Sequence, residues 1–333
     1  MAFDLNEINY RTVADPKGFI AECDAAYAAK ISRAADMISE NRRRSPIVLL
    51  SGPSGSGKTT TAQKIEEELK RRGIKSYTIS MDNYFLDVNP KTSPRTAEGD
   101  YDFESPKCLD MDLLNEHFTK LAKGERIYVP KFEFSRKMRV VEPSKSLKLG
   151  ADEIAIFEGI HALNDDIAGR HPEATKLYIS ARSNVNEGSV LRFKGTWMRL
   201  TRRAVRDYNF RGTDVEDTLE MWANVRRGEK LYISPYKNRA DIIFDSSLPY
   251  EVSVMKNYAL PLLQAVPEEN VRRAELLELI EAFQYFEPID PELVDKDSLL
   301  REFIGGGIYE LPLLLSQPPG RPQAAPTKNE KLR

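Results

Sequence analysis

The sequence predicts a three-layer α/β fold with a mostly parallel sheet. Three observations carry that prediction. Short continuous apolar runs at 46–50, 153–157, 176–180 and 241–244 read as strands buried on both faces. Segments with helical periodicity lie between some of them. The stretch SGPSGSGKTT, Ser51 to Thr60, stands between the first run and a helix. Strand, glycine loop, helix and strand make a βαβ unit, and hence a parallel sheet.

Residues 1–45 read as an N-terminal helical extension. Within it, 16–43 is a helix, because Ile20, Cys23, Tyr27, Ile31, Ala34 and Ile38 recur at steps of three or four. Asp15 is placed to cap it, Pro16 suits its first turn, and the cations at 42–44 suit its C-terminus. After the glycine loop, Lys58 to Arg72 is helical, with Ala62, Ile65 and Leu69 facing inward and Gly73 as the stop. Residues 76–80 form the next strand. The polar span 86–109 holds Pro90, Pro94 and Pro106; a connection that long is functional or disordered. RIYVPKFEF, 126–134, alternates like an exposed strand and is expected to pair with 138–141 as a small hairpin in the substrate region. An amphipathic helix over 269–287 follows from Leu276, Leu277, Ile280 and Phe283. The expected division is a kinase-type core at 46–250, a C-terminal helical region at 251–316 and a disordered tail at 317–333, where Pro, Gly, Gln and Lys dominate.

Composition narrows the function. Among 333 residues, 41% are apolar and 30% charged, as in a soluble globular protein. Lys plus Arg is 49 against 51 for Asp plus Glu, which speaks against a broad nucleic-acid surface. Cys23 and Cys108 make neither a disulfide framework nor a metal knuckle. His117, His161 and His171 do not pair at zinc-ligand spacing. No apolar run approaches the length of a membrane span, and the N-terminus lacks a signal-type apolar core. The expectation is a cytoplasmic protein with a small-molecule partner, no nucleic acid and no membrane, and with homo-oligomerisation left open.

Residues 52–59 fit G-x-x-x-x-G-K-[ST] completely. Such a loop turns its N–H groups onto anionic oxygens, and the following helix presents its positive end to them. Gly52, Ser54, Gly55, Ser56, Gly57, Lys58, Thr59 and Thr60 are therefore the expected ATP site. Lys58 would reach the β- and γ-phosphates, and Thr59 would ligate Mg²⁺. Asp82 and Glu158 follow strand ends that open onto the same crevice. Either could hold Mg²⁺, and Asp82 could accept the proton of an attacking hydroxyl. The alternative for each is a simple cap. Between 192 and 211 stand Arg192, Lys194, Arg199, Arg202, Arg203, Arg206 and Arg211 against one acid, Asp207. Arg199, Arg202, Arg203 and Arg206 share a helical face. That face is either a closing element over the phosphates or a solvated basic surface.

Several motifs then fall in one order: GPSGSGKTT, SMDNYF at 80–85, YDFESP at 101–106, VPKFEF at 129–134, FEGIHALN at 157–164, RLTRRAVRDYNFRG at 199–212 and ADIIF at 240–244. Together they resemble the uridine kinase and phosphoribulokinase family of P-loop kinases. More narrowly, EMWANVRRGEKLYISPY at 220–236 and SLLREFIGG at 298–306 are similar to a bacterial uridine kinase-like nucleoside kinase subgroup. The resemblance implies a P-loop NTPase-type fold and ATP-dependent transfer to the 5′-hydroxyl of a ribonucleoside. It implies Asp82 as base and Mg²⁺ ligand, Glu158 as a further Mg²⁺-linked acid, and Arg203 and Arg206 as lid residues acting with Lys58. It assigns the acceptor side to Tyr84, Phe85, Glu104, Phe132, Lys137, Arg139 and Arg203. Here the chain departs from the family pattern: Phe85 and Phe132 replace tyrosines, Glu104 an aspartate, Lys137 a histidine and Thr213 an arginine. Three other readings stay open beside the nucleoside kinase. One is a kinase of an anionic acceptor, favoured by Arg136, Lys137 and Arg139. The others are a nucleotide-binding regulator and an RNA-binding role for the arginine helix.

Overall fold

The structure is a computed structural model that describes residues 2–134, 136–270 and 272–309. The expected tail at 317–333 lies outside the described residues. Five parallel strands form the central sheet, in the spatial order Ile242–Asp245, Thr175–Ser180, Ile47–Ser51, Ile154–Glu158 and Ser76–Ser80. Every residue of the middle three is buried, which is why they read as unbroken apolar runs. Helices cover both faces. On one side Pro16–Asn41 and Lys58–Arg71 pack on the sheet and continue into Gly195–Phe210, Glu251–Gln264 and Arg273–Gln284 through one shared core. On the other, Met111–Ala122 closes a second core built on Tyr84, Phe118, Phe157 and Tyr178.

The N-terminal helix forms as its sequence directs. Asp15 accepts from the Gly18 N–H at 2.9 Å, and Pro16 opens the helix where its missing N–H costs nothing. Its apolar stripe, Phe19, Ile20, Cys23, Tyr27, Ile31, Ala34 and Ile38, is buried. Residues 2–14 add a short strand, Phe3–Asp4, and a further helix, Leu5–Ala14.

Three expectations are corrected. RIYVPKFEF is not one strand: Ile127–Val129 pairs with Lys145–Leu147, and Phe132–Glu133 pairs with Met138–Arg139. Pro130 lies between the two pieces and has no N–H to carry a ladder through. The helix expected over 269–287 spans Arg273–Gln284, beginning after Asn270 has already turned the chain. The long span 86–109 carries one short 3₁₀ turn, Pro106–Cys108, and is otherwise laid down in order by turns, so of the two alternatives for it the disordered one falls. Thr96 N–H donates to Asp100 O at 2.8 Å, Asp102 N–H to Pro94 O at 2.8 Å, and Leu86 N–H to Cys108 O at 2.8 Å.

Candidate functional site

The crevice lies at the C-terminal edge of the sheet, where the glycine loop leaves Ile47–Ser51. Gly55 and Gly57 take φ of +75° and +80°, which side chains with a Cβ resist. A Cβ on Gly52 would stand 2.0 Å from Ile179 O, so this glycine is also a matter of space. The first helical bond runs from Thr61 N–H to Gly57 O at 3.0 Å. The N–H groups of Lys58, Thr59 and Thr60 are thus left over by the helix and aim at its positive end. Lys58 Nζ lies 3.3 Å from Pro53 O.

Sheet register sets the acids. Glu158 pairs across to Leu50 on one side and to Ser80 on the other. It therefore sits beside the start of the loop and two residues short of Asp82. Asp82 follows in the turn Met81–Tyr84, which Ser80 caps. Burial is the largest influence on all three charged groups. It pushes the carboxyls of Asp82 and Glu158 above the ordinary range and lowers Lys58. Lys58 opposes that rise on both acids, while Asp82 adds to it on Glu158. Two carboxyls repelling each other beside Lys58, which Thr59 follows in the chain, are a donor set that fits Mg²⁺. That ion is commonly held by one or two carboxylates plus substrate phosphates and water.

The arginine helix, Gly195–Phe210, divides its cations between two tasks. Arg199 and Arg202 are 2% and 0% exposed, so the solvated-face reading fails for them. Arg199 pairs with Glu229 at 2.7 Å and donates to Ser54 O at 3.2 Å. Arg202 is forked onto Glu251 and donates to Gly55 O at 3.2 Å and Ser246 O at 2.9 Å. These two fasten the back of the glycine loop to the core. Arg203 and Arg206 turn to the crevice. Arg203 donates to Ser54 Oγ at 3.0 Å. Arg206 lies close enough to Asp82 and Lys58 to bias both.

Sequence reasoning left Asp207 and Arg211 out of the site. The buried Asp207 carboxylate meets Arg203 at 3.2 Å, Arg206 at 2.8 Å and Arg211 at 3.2 Å. It gathers the three crevice arginines, which in turn hold it below its ordinary pKa. Arg211 is lowered to about 10 by burial and by Arg206, and it bears on Asp82 more strongly than Arg206 does. The one acid in a cationic run was the available signal for this hub.

Beside the phosphate side lies a second group. Burial pushes the Glu104 carboxyl up to about 7, with Arg203 opposing. Asp102, 2% exposed, ion-pairs with Arg227 at 2.6 Å and accepts from Tyr232 Oη at 3.3 Å. His161 is buried with neither ring nitrogen in a hydrogen bond of normal geometry, and burial lowers it to about 4. Phe85 and Phe132 pack with Phe134 at centroid distances of 4.9–5.5 Å.

Of the residues expected on the acceptor side, Tyr84 and Arg139 have their polar groups engaged by other partners and Lys137 is exposed. Tyr84 is fully buried and its hydroxyl meets His117 Nδ1 at 2.8 Å, because the tight turn points it into the second core. Arg139 spends its guanidinium on Phe85 O, Tyr84 O and Asp110, at 2.9, 3.0 and 2.9 Å, and so braces the loop after Asp82. Lys137 is exposed at the hairpin tip with φ +53°. Thr60 carries a further surprise: its N–H donates to Glu302, 242 residues away.

No helix among the described residues is long and apolar enough to cross a membrane. A profile of the Phosphoribulokinase / Uridine kinase family matches residues 47–253, more than half of the chain. Uridine kinase of Schizosaccharomyces pombe is 28% identical over 243 residues, covering 72% of this chain and 49% of that protein. Uridine kinase of Anoxybacillus flavithermus is 28% identical over 230 residues, covering 68% of this chain and 98% of that one. The chain thus spans about half the length of the fission yeast relative and nearly all of the bacterial one. Among solved structures, phosphoribulokinase from Rhodobacter spheroides aligns at 18% identity and a TM-score of 0.41 over 62% of this chain and 74% of that one. D-glycerate 3-kinase from Cryptococcus neoformans aligns at 15% identity and 0.30 over 82% and 89%. By the extent of the family profile, this chain belongs to the phosphoribulokinase / uridine kinase family.

Proposed function

We propose that the protein is an ATP-dependent kinase that transfers the γ-phosphate to the 5′-hydroxyl of a ribonucleoside. One observation supports this most: Asp82 stands in the crevice under the influence of Lys58, Arg206 and Arg211, with the Glu104 and Asp102 carboxyl groups alongside. The N–H groups of the glycine loop and Lys58 bind and orient the phosphates. Thr59, Asp82 and Glu158 would hold Mg²⁺, which when bound neutralises charge on the phosphate oxygens. Arg203, Arg206 and Arg211 face charge that builds on the transferring group. Asp82 accepts the proton of the acceptor hydroxyl, a task for which a pKa raised by burial suits it better than an ordinary aspartate. Glu104, with a pKa of about 7, exchanges between acceptor and donor near neutrality, which suits vicinal sugar hydroxyls.

The anionic-acceptor reading drew on Arg136, Lys137 and Arg139. Arg139 is engaged by Phe85 O, Tyr84 O and Asp110, and Arg136 pairs with Glu133 at 3.4 Å, which leaves Lys137, exposed at the hairpin tip, as the remaining cation of that set and favours the nucleoside reading. The two thiols are free and buried, which fits the cytoplasmic location we assign under this reading.

The test is ADP release from ATP and Mg²⁺ over a panel of nucleosides, sugars and sugar phosphates. Release dependent on a free nucleoside supports the proposal. Release that follows phosphorylated sugars alone overturns it.

A further inference from the structure

The C-terminal segment 298–306 approaches the start of the phosphate-loop helix. Glu302 is 7% exposed and its Oε2 takes the Thr60 N–H at 3.2 Å. Leu299 packs directly on Gly57, so closely that an added Cβ there would stand 2.6 Å from its Cδ1. Phe303 lies under the Arg202 guanidinium at 5.0 Å. The segment is pinned on several sides. Asp297 pairs with Lys64 at 3.2 Å, Ser298 meets Tyr250 Oη at 2.9 Å, and Gly305 abuts Phe210. Leu299, Leu300, Phe303 and Ile304 belong to the main core.

The N–H groups at the start of such a helix are what a P-loop offers to the α- and β-phosphates. One of the three that the helix leaves over is here occupied by a carboxylate from the far end of the chain. The same carboxylate bears on Lys58 and Glu158, so its charge is felt inside the crevice. A polyphosphate and Glu302 cannot hold the Thr60 N–H together, and both are anions.

We propose that Glu302 is an affinity-determining residue of the nucleotide site: its carboxylate stands in for a phosphate on the Thr60 amide and must withdraw before a nucleotide seats fully. The inference rests on the nucleotide-site reading given above. It assigns to SLLREFIGG a role that couples the C-terminal region to nucleotide occupancy. Displacing Glu302 forfeits a charge-assisted hydrogen bond, and that loss is subtracted from nucleotide affinity.

The test is direct binding of ADP and of ATP with Mg²⁺ by calorimetry, on the full chain and on Glu302→Gln. The amide keeps the shape of the side chain and removes its charge. Binding is expected to tighten about tenfold, the scale of one charge-assisted bond. Glu302→Asp, one methylene too short to keep the contact, serves where the amide variant melts early; it should tighten binding in the same direction. Unchanged or weaker binding in a folded variant overturns the inference and leaves the kinase reading standing. Absence of nucleotide binding by the parent and both variants overturns the two together.

Discussion

Glu251→Gln isolates the buried half of the arginine helix. Arg202 and Glu251 are each 0% exposed and joined by a forked contact, with Nη2 to Oε2 at 2.6 Å. The substitution keeps the shape and removes the anion. Arg202 then stays as a buried cation facing a neutral amide, the carbonyls of Gly55 and Ser246, the Ser246 hydroxyl and the Phe303 ring, with Glu302 as the acid that still bears on it. Breaking a buried pair from one side costs about 3–5 kcal/mol. Unfolding entropy near 2.1 cal/mol/K per residue over roughly 300 residues gives about 0.6 kcal/mol per degree, hence a Tm lower by about 5–8 °C. Differential scanning calorimetry and urea unfolding read this directly. The double variant Arg202→Met with Glu251→Leu removes both charges and should recover most of the loss. Arg206→Ala is the contrast. Its carboxylate partner Asp207 keeps Arg203 and Arg211, so Tm should change little while turnover falls roughly hundredfold. A Glu251→Gln protein that melts within a degree of its parent would refute the assignment of Arg202 to the core.

Two further outcomes are expected. Asp82→Asn should retain ATP binding but lose turnover by at least about a hundredfold, the scale of a missing general base; near-normal steady-state rates would remove Asp82 from the chemistry. Glu104 has a folded pKa of about 7 against an ordinary 4.5, so the folded state holds its proton longer than the unfolded state. Its contribution to stability is present below about pH 4.5 and is lost as pH rises through about 7. Relative to the parent, Glu104→Gln should therefore gain stability between pH 5 and pH 8, by on the order of 2 kcal/mol. A variant-minus-parent difference in urea midpoints that stays flat across that range would contradict the placement of Glu104.

What the sequence disclosed follows from which interactions are local. Strands buried on both faces announce themselves, and Ile47–Ser51 and Thr175–Ser180 did. The glycine loop is a contiguous motif whose backbone needs are written in its residue types. Glu251–Gln264 carries no such signature: it is largely apolar all round, contains Pro261 and buries Glu251 and Ser253. The pairing of Phe132–Glu133 with Met138–Arg139 follows the alternation, but alternation is blind to Pro130, where the single strand breaks. Asp82, Glu158, Arg203 and Arg206, drawn from ordered motifs, stand around one crevice, whereas Tyr84 and Arg139 took other partners. A side chain's direction within a tight turn, and a guanidinium's choice among nearby carbonyls, are tertiary facts. Glu302 illustrates the limit, since nothing in residues 298–306 points to an amide 242 positions earlier.

Transfer to a nucleoside hydroxyl is read from the identity of the labelled product. The purified chain is incubated with γ-labelled ATP, Mg²⁺ and a ribonucleoside, and the labelled product is resolved by mass and by ³¹P NMR. The expected product is a nucleoside 5′-monophosphate carrying the label, formed by the parent and nearly absent with Asp82→Asn. Label that stays in ATP under every nucleoside, or that appears on a phosphorylated sugar instead, would contradict it.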